Sequence, residues 1–388
     1  MSSSDNKLNI SALARDSVKA IVPYASARSS MSGGAVWLNA NENALAPQYQ
    51  LSGSYNRYPE CQPPALIAAY AAYAGVDTSQ LLVSRGADEG IELLIRSFCE
   101  PKTAGLSAAK LSEADQNSGD SILICPPTYG MYAISAESNQ VSRTIVPLLP
   151  DFTLNLPAIF EAATPKLVFI CSPNNPTGDL IPRQQILQVL DFYRDKALVV
   201  VDEAYIEFAP DASVLNLLSD YPNLVVLRTL SKAFALAGLR CGFTLAAPEI
   251  INALKQMIAP YPVAAPVAEI ATQALSAEGQ ARMKQSVVVI NQLRDQFIAF
   301  AKTQVAVTQV YPSNANYVLL QVADAADCVA TIAAQGILIR NQSSQIGLSQ
   351  VVRVSIGSPA EMALVTTALS QYFVKQSIAN STQTIGAN

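Results

Sequence analysis

Seven apolar stretches of strand length constrain the fold of this chain more than any other feature. They are LLVS (81–84), SILIC (121–125), RTIVPL (143–148), KLVFIC (166–171), ALVVVD (197–202), NLVVLR (223–228) and CGFTLAA (241–247). Several are almost unbroken Val, Ile and Leu. A strand without a polar face must be covered on both sides, which is the situation of a parallel sheet in an α/β fold. The segments between them supply the cover. Over 88–99 the apolar residues Ile91, Leu94, Ile95 and Phe98 recur at helical spacing. Over 182–194 the same pattern returns with Ile186, Leu187, Val189, Leu190 and Tyr193. Alternating strands and helices predict an α/β, mostly parallel sheet with helices on both faces.

Beyond Pro260, Pro262 and Pro266 the texture changes. Long helical patterns fill 267–302. Short strands are expected around 317–322 and 351–356, and a closing helix near 359–373. These predict a second, smaller α+β unit, followed by a polar, frayed tail. Residues 102–120 are small and polar and read as a surface excursion.

Composition removes whole classes of chemistry. The 388 residues include no His. Ser-His-Asp and Cys-His nucleophilic systems and His-containing metal sites are therefore excluded. Proton transfer falls to Lys, Asp, Glu, Tyr or Cys. The six Cys show no C-x-x-C spacing and read as buried small hydrophobes, with no metal site expected. A net charge of −5 without a basic run argues against nucleic acid and anionic membrane as partners. The N-terminus lacks the apolar core of a signal peptide, and no apolar stretch is long enough to span a membrane. A cytoplasmic location is expected.

In an open α/β sheet, ligands bind beyond the carboxyl ends of the strands. Four polar segments follow apolar runs in that way: SRGADEG (84–90), CSPNNPTG (171–178), VDEAY (201–205) and TLSKAFALAGLRCG (229–242). Each has an ordinary explanation. Lys232 could be a solvated loop residue. Asp202, at the end of ALVVV, could cap the next turn. Asn174 and Asn175 suit a turn. The helix opening after Gly86-Ala87-Asp88 is a ready anion site, although capping by Asp88 would account for it too.

Their order and spacing are harder to dismiss. An anion-binding helix start, Asn175, Asp202, Tyr205 three residues later, Lys232 and then Arg240 eight residues on form one constellation. It resembles the aspartate-aminotransferase superfamily of pyridoxal 5′-phosphate (PLP) enzymes, fold type I. That resemblance implies an aspartate-aminotransferase-like fold with a mostly parallel seven-stranded sheet. Lys232 would carry PLP as a covalent Schiff base, and Asp202 would face the ring nitrogen. Asn175 and Tyr205 would hydrogen-bond the ring oxygen. The phosphate would be held by Thr229, Ser231, Arg240 and the backbone at Ala87 and Asp88. Tyr129, in CPPTYG, would stack on the ring.

WLNANEN (37–43), NRYPECQPPAL (56–66), GADEGIELL (86–94), CPPTYGMY (125–132), VDEAYIEF (201–208), LSKAFALAGLRCGF (230–243) and IAPYPVAAPVA (258–268) narrow the likeness. Between about Leu13 and Leu369 the chain is similar to the histidinol-phosphate aminotransferase family of histidine biosynthesis. The family's reaction moves an amino group from histidinol phosphate to 2-oxoglutarate. The resemblance implies that Arg353 takes both the substrate phosphate and the glutamate carboxylate, that Arg340 adds a phosphate contact, and that Tyr24 covers the substrate from an N-terminal arm. Tyr58 would reach the cofactor phosphate of the neighbouring subunit, so a homodimer with composite sites is expected. The implied division is an arm (1–35), a large PLP-binding domain (36–260, with an insertion at 102–120), a small domain (261–374) and a polar tail (375–388). Within the same chemistry, an aromatic or phenylpyruvate aminotransferase and a phosphothreonine-type decarboxylase remain alternatives. Outside it stands a PLP-sensing regulator, which would need a DNA-binding module for which this chain has no spare basic segment.

Overall fold

The computed structural model describes residues 34–45, 49–51, 55–102 and 119–385. Nearly all of the expected arm, including Tyr24, and nearly all of the expected insertion lie outside the described residues. In chain order the elements are β1 (Val36–Trp37), α1 (Pro64–Ala74), β2 (Leu81–Ser84), α2 (Ala87–Phe98), β3 (Ser121–Ile124), α3 (Met131–Ser138), β4 (Ser142–Ile145), α4 (Leu156–Glu161), β5 (Leu167–Cys171), α5 (Arg183–Phe192), β6 (Leu198–Asp202), β7 (Leu224–Thr229) and β8 (Gly242–Ala246). There follow α6 (Pro248–Met257), α7 (Ala265–Ala274), α8 (Ala277–Lys302), β9 (Val307–Val310), β10 (Tyr317–Val322), α9 (Ala325–Ala333), β11 (Ile337–Leu338), β12 (Arg340–Asn341), β13 (Val351–Ser355) and α10 (Pro359–Ile385).

The seven expected strands form one sheet in the order β2-β8-β7-β6-β5-β3-β4. Six of them run in one direction, and only β8, between β2 and β7, runs against them. Alternation along each apolar run divides it between two cores. Val168, Ile170, Val199, Val201, Leu224 and Val226 enter one core, and Leu167, Phe169, Val200, Val225 and Leu227 enter the other. Helix α5 covers the first face through Ile186, Val189 and Leu190, and α2 covers the second through Ile91, Leu94 and Ile95. Both faces are buried, so the continuous apolar runs have the explanation expected of them.

Pairing sets the carboxyl ends of β5, β6 and β7 side by side. Cys171 is in register with Asp202, and Asp202 with Leu227. Because β8 enters from the opposite direction, Gly242 pairs with both Ser84 and Thr229. A Cβ at Gly242 would stand 2.3 Å from the carbonyl carbon of Gly86, so only glycine permits this approach. It brings the start of α2 against the end of β7.

The four-stranded antiparallel sheet β12-β13-β10-β9 docks over that same edge. The Tyr317 hydroxyl donates to the Asn174 carbonyl at 2.6 Å, and the Asn314 amide donates to the Gly178 carbonyl at 2.8 Å. Strand β1 pairs with β11 in parallel, which carries the chain just before Asn39 to the same place.

Three local expectations change. The helical pattern over 267–302 is two helices, because the Ser276 hydroxyl accepts from the Gly279 amide and caps a new start. The closing helix continues to Ile385, past the expected end near Phe373. No Pro or Gly interrupts it before Gly386, and extending a formed helix costs less than starting one. Strand β4 stops at Ile145 and alternates in exposure, as an edge strand does. No helix among the described residues is long and apolar enough to cross a membrane.

Candidate active site

A cavity of about 290 Å³ opens at the carboxyl ends of β5, β6 and β7, beneath β12 and β13. All the expected site residues line it except Tyr24, outside the described residues, and Tyr58. Tyr58 is 81% exposed, stacks on Tyr261 at 4.4 Å and does not line the cavity.

One wall is built for an anion. Helix α2 begins after Gly86, which has φ +83° and no side chain with which to cap the exposed amides. Asp88 does not cap the helix either. Its carboxylate accepts from the Tyr129 hydroxyl at 2.8 Å and pairs with Arg240 at 3.2 Å. Arg240 itself sits in the left-handed region at φ +55°, which turns its guanidinium back over Gly86. A Cβ at Gly86 would come within 2.7 Å of Arg240 Nη2. Thr229 and Ser231 add two hydroxyls, hydrogen-bonded to each other at 2.9 Å.

Asp202 lies deep in the cavity at 3% exposure. Burial raises its carboxyl to about 6, with the charge of Asp88 adding to the rise. Hydrogen bonds from Tyr132 and the Ala204 amide, and the charge of Lys232, work against it. Lys232 stands 5.6 Å from the Tyr205 ring centre. Desolvation lowers its ammonium to about 8, helped by the nearby Arg353 and opposed by Asp88 and Glu42. Near neutral pH this amine is far easier to deprotonate than a surface lysine.

The Tyr205 oxygen accepts from Asn41 Nδ2 at 3.1 Å and from Asn175 Nδ2 at 3.4 Å. With both lone pairs engaged, its proton is left to point into the cavity. Burial pushes this phenol upward, so it keeps that proton. Asn175 is oriented in turn by Arg353, whose Nη1 donates to Asn175 Oδ1 at 2.6 Å. Arg353 Nη2 donates to the Asn39 carbonyl at 3.1 Å.

Arg353 and Arg340 are direct cross-strand partners on β13 and β12. Two like charges set opposite each other repel, a cost that an anion between them would remove. Both line the cavity.

Sequence reasoning did not assign Asn39, Asn41, Tyr132, Gln342 or Gln345, of which all but Tyr132 line the cavity. Three asparagines spaced by two in WLNANEN, straight after an apolar pair, were the available signal for the first two. For Tyr132 the signal was a second tyrosine three residues after Tyr129, at the start of the helix that follows it.

The chain matches the Aminotransferase class I and II family over residues 34–369. It is 50% identical over 365 residues to the histidinol-phosphate aminotransferase of Serratia proteamaculans, spanning 94% of this chain and 96% of that one. It is 51% identical over 364 residues to that of Aeromonas hydrophila, spanning 93% and 98%. Among solved structures, the histidinol-phosphate aminotransferase of Sinorhizobium meliloti in complex with pyridoxal-5′-phosphate superimposes with a TM-score of 0.78, at 21% identity, over 96% of this chain and 99% of that chain. That of Clostridium acetobutylicum does so with a TM-score of 0.76, at 23% identity, over 88% and 100%. Family model and relatives agree: the chain belongs to the class I and II aminotransferase family, among the histidinol-phosphate aminotransferases.

Proposed function

We propose that the cavity holds pyridoxal 5′-phosphate and that the chain moves the amino group of L-histidinol phosphate to 2-oxoglutarate, yielding imidazole-acetol phosphate and L-glutamate. The observation that carries this reading is the Arg340–Arg353 cross-strand pair, facing the same cavity as Lys232 and Asp202 in a chain half identical to enzymes of that name.

The donor set fits the cofactor. Arg240, the Thr229 and Ser231 hydroxyls and the uncapped amides of Ala87 and Asp88 suit a phosphate. Glycine at position 86 lets the Arg240 guanidinium lie directly over the start of α2, since a Cβ there would come within 2.7 Å of Nη2. When bound, PLP supplies an electron sink for the pair left at the substrate Cα.

The chain's own groups do the rest. The Lys232 amine holds the cofactor and, once released, carries the proton at the substrate Cα. Asp202, as a carboxylate, holds a proton on the ring nitrogen. The Tyr205 hydroxyl and the Asn175 amide donate to the ring oxygen, and Tyr129 lies against the ring. Arg353 forks onto the phosphate of one substrate and the carboxylate of the other, since both offer paired oxygens to a planar guanidinium. Arg340 binds the phosphate from across the strand pair. Tyr24 is proposed to cover the substrate.

The test is a half-reaction. Purified protein loaded with PLP, mixed with histidinol phosphate alone, should convert its absorbance to that of the pyridoxamine form. Return to the starting spectrum should need 2-oxoglutarate. Release of CO2 from a phosphorylated amino acid would instead favour the decarboxylase reading.

The reading extends to assembly. A large PLP-binding unit and a smaller C-terminal one, in a cytoplasmic homodimer, place Tyr58 in the partner's site. Its exposure on its own subunit supports that role. Hybrids of Lys232→Ala and Tyr58→Ala chains should then regain about a quarter of wild-type sites, because half the re-paired dimers are hybrids with one intact site in two. No gain after verified subunit exchange would remove Tyr58 from the composite site.

A further inference from the structure

Each carboxylate oxygen of Asp202 already has a donor from within the protein. The Ala204 amide donates to Oδ1 at 3.1 Å, and the Tyr132 hydroxyl donates to Oδ2 at 2.7 Å. Tyr132 is wholly buried. Its ring stacks on Phe169 at 4.8 Å and 19° and meets Tyr129 edge-on at 5.7 Å. Phe169 belongs to β5, the hydrogen-bonded neighbour of β6, which ends in Asp202. The hydroxyl is therefore fixed relative to the carboxylate by a ring clamped on two sides.

The groups around Asp202 pull in opposite directions. Burial and the Asp88 carboxylate across the cavity favour the neutral acid. Lys232 favours the carboxylate only while it is charged, and that charge is lost from about pH 8 upward. Cys171, level with Asp202 on β5, has its thiol pushed up by burial and stays neutral. Tyr205 keeps its proton as well. What remains at all working pH values is the Ala204 amide and the Tyr132 hydroxyl, itself held far above the ordinary phenol range.

We propose that Tyr132 is a positioning residue that keeps Asp202 ionised and turns its remaining lone pairs into the cavity. The proposal rests on the reading that Asp202 serves the ring nitrogen of PLP. The pairing with Tyr132 can be tested apart from it. In a site where burial works against the charge, the phenol decides whether the carboxylate is present to hold a proton on the ring.

The experiment uses the full chain as wild type, Tyr132→Phe, Asp202→Asn and the double variant. Without PLP, unfolding free energy is measured from pH 5 to 8.5. Asp202 has a raised folded pKa, so its ionisation costs stability as pH rises through about 4 to 6, and the cost persists above. Losing a hydrogen bond to a charged group changes proton affinity roughly ten- to hundred-fold, or about one to two pH units. The stability gap between Tyr132→Phe and wild type should therefore widen between pH 6 and 8. In the Asp202→Asn background it should be flat. A gap independent of pH, or equal in both backgrounds, means that the phenol merely fills space and overturns the proposal. In parallel, the dissociation constant for PLP is followed over the same range. Its acidic limb should move up by about one to two units in Tyr132→Phe. A widening gap with an unmoved limb supports the Tyr132–Asp202 pair and overturns instead the assignment of Asp202 to the cofactor.

Discussion

Lys232→Ala should lose nearly all turnover, by at least the roughly 10²- to 10⁴-fold that a positioned acid–base group supplies, while the protein still binds PLP. Binding survives because Arg240, Thr229, Ser231 and the amides at the start of α2 are untouched, and Asp202 remains 3% exposed beneath them. Borohydride reduction of the loaded wild type should fix the cofactor on the peptide carrying residue 232, and reduction of the variant should fix none. The pH dependence follows from the environment of the lysine. Desolvation and Arg353 lower the ammonium to about 8. The rate at which PLP-free protein captures the cofactor covalently should therefore rise through pH 8, whereas an unperturbed lysine would need about 10.4. Labelling of a peptide without residue 232, or a capture rate still climbing steeply beyond pH 9.5, would remove Lys232 from this role.

Arg353→Lys should weaken both substrates together. The charge stays, but the two parallel donors are lost, and with them the 2.6 Å contact that orients Asn175. A hydrogen bond to a charged group is worth about 1.5–3 kcal/mol, so KM for histidinol phosphate and for glutamate should each rise roughly 10- to 100-fold. Steady-state kinetics in both directions measure this. Weakened use of histidinol phosphate with untouched use of glutamate would refute the shared anion site. Replacing Arg353 with Met, which removes the charge, should also raise the pH at which Lys232 titrates, because Arg353 is one of the groups that depress it. Arg353→Lys should leave that titration nearly in place. The pair of variants thus separates the charge of Arg353 from its geometry.

Much of this molecule was legible in one dimension. Runs such as KLVFIC and ALVVVD can be covered on both faces only inside a sheet flanked by helices, so residues at their carboxyl ends, Asp202 among them, were marked as site candidates by position. Periodicity located α2 and α5 to within a residue or two. The short and polar strands escaped notice. Strand β9 is partly exposed, and β12 has only two residues, so neither carries an alternating apolar signal. Arg340 and Arg353 were picked out by resemblance, but their facing each other is a matter of register.

What the sequence by itself determined is the class of fold, the set of groups available for catalysis in a chain without histidine, and the strand ends where they gather. Tertiary structure decided how those groups are held. Asn41 reaches Tyr205 across 164 positions, and Arg353 reaches Asn175 across 178. Gly242 meets Gly86 only because β8 runs against its neighbours. Tyr132 meets Asp202 only because the helix after β3 sets its ring on Phe169 of β5, the strand paired with β6. The physical reason is common to all of them. Apolar periodicity records which face of an element is buried, a local property. A hydrogen bond between distant loops depends on strand order, direction and register, which only the packed core settles.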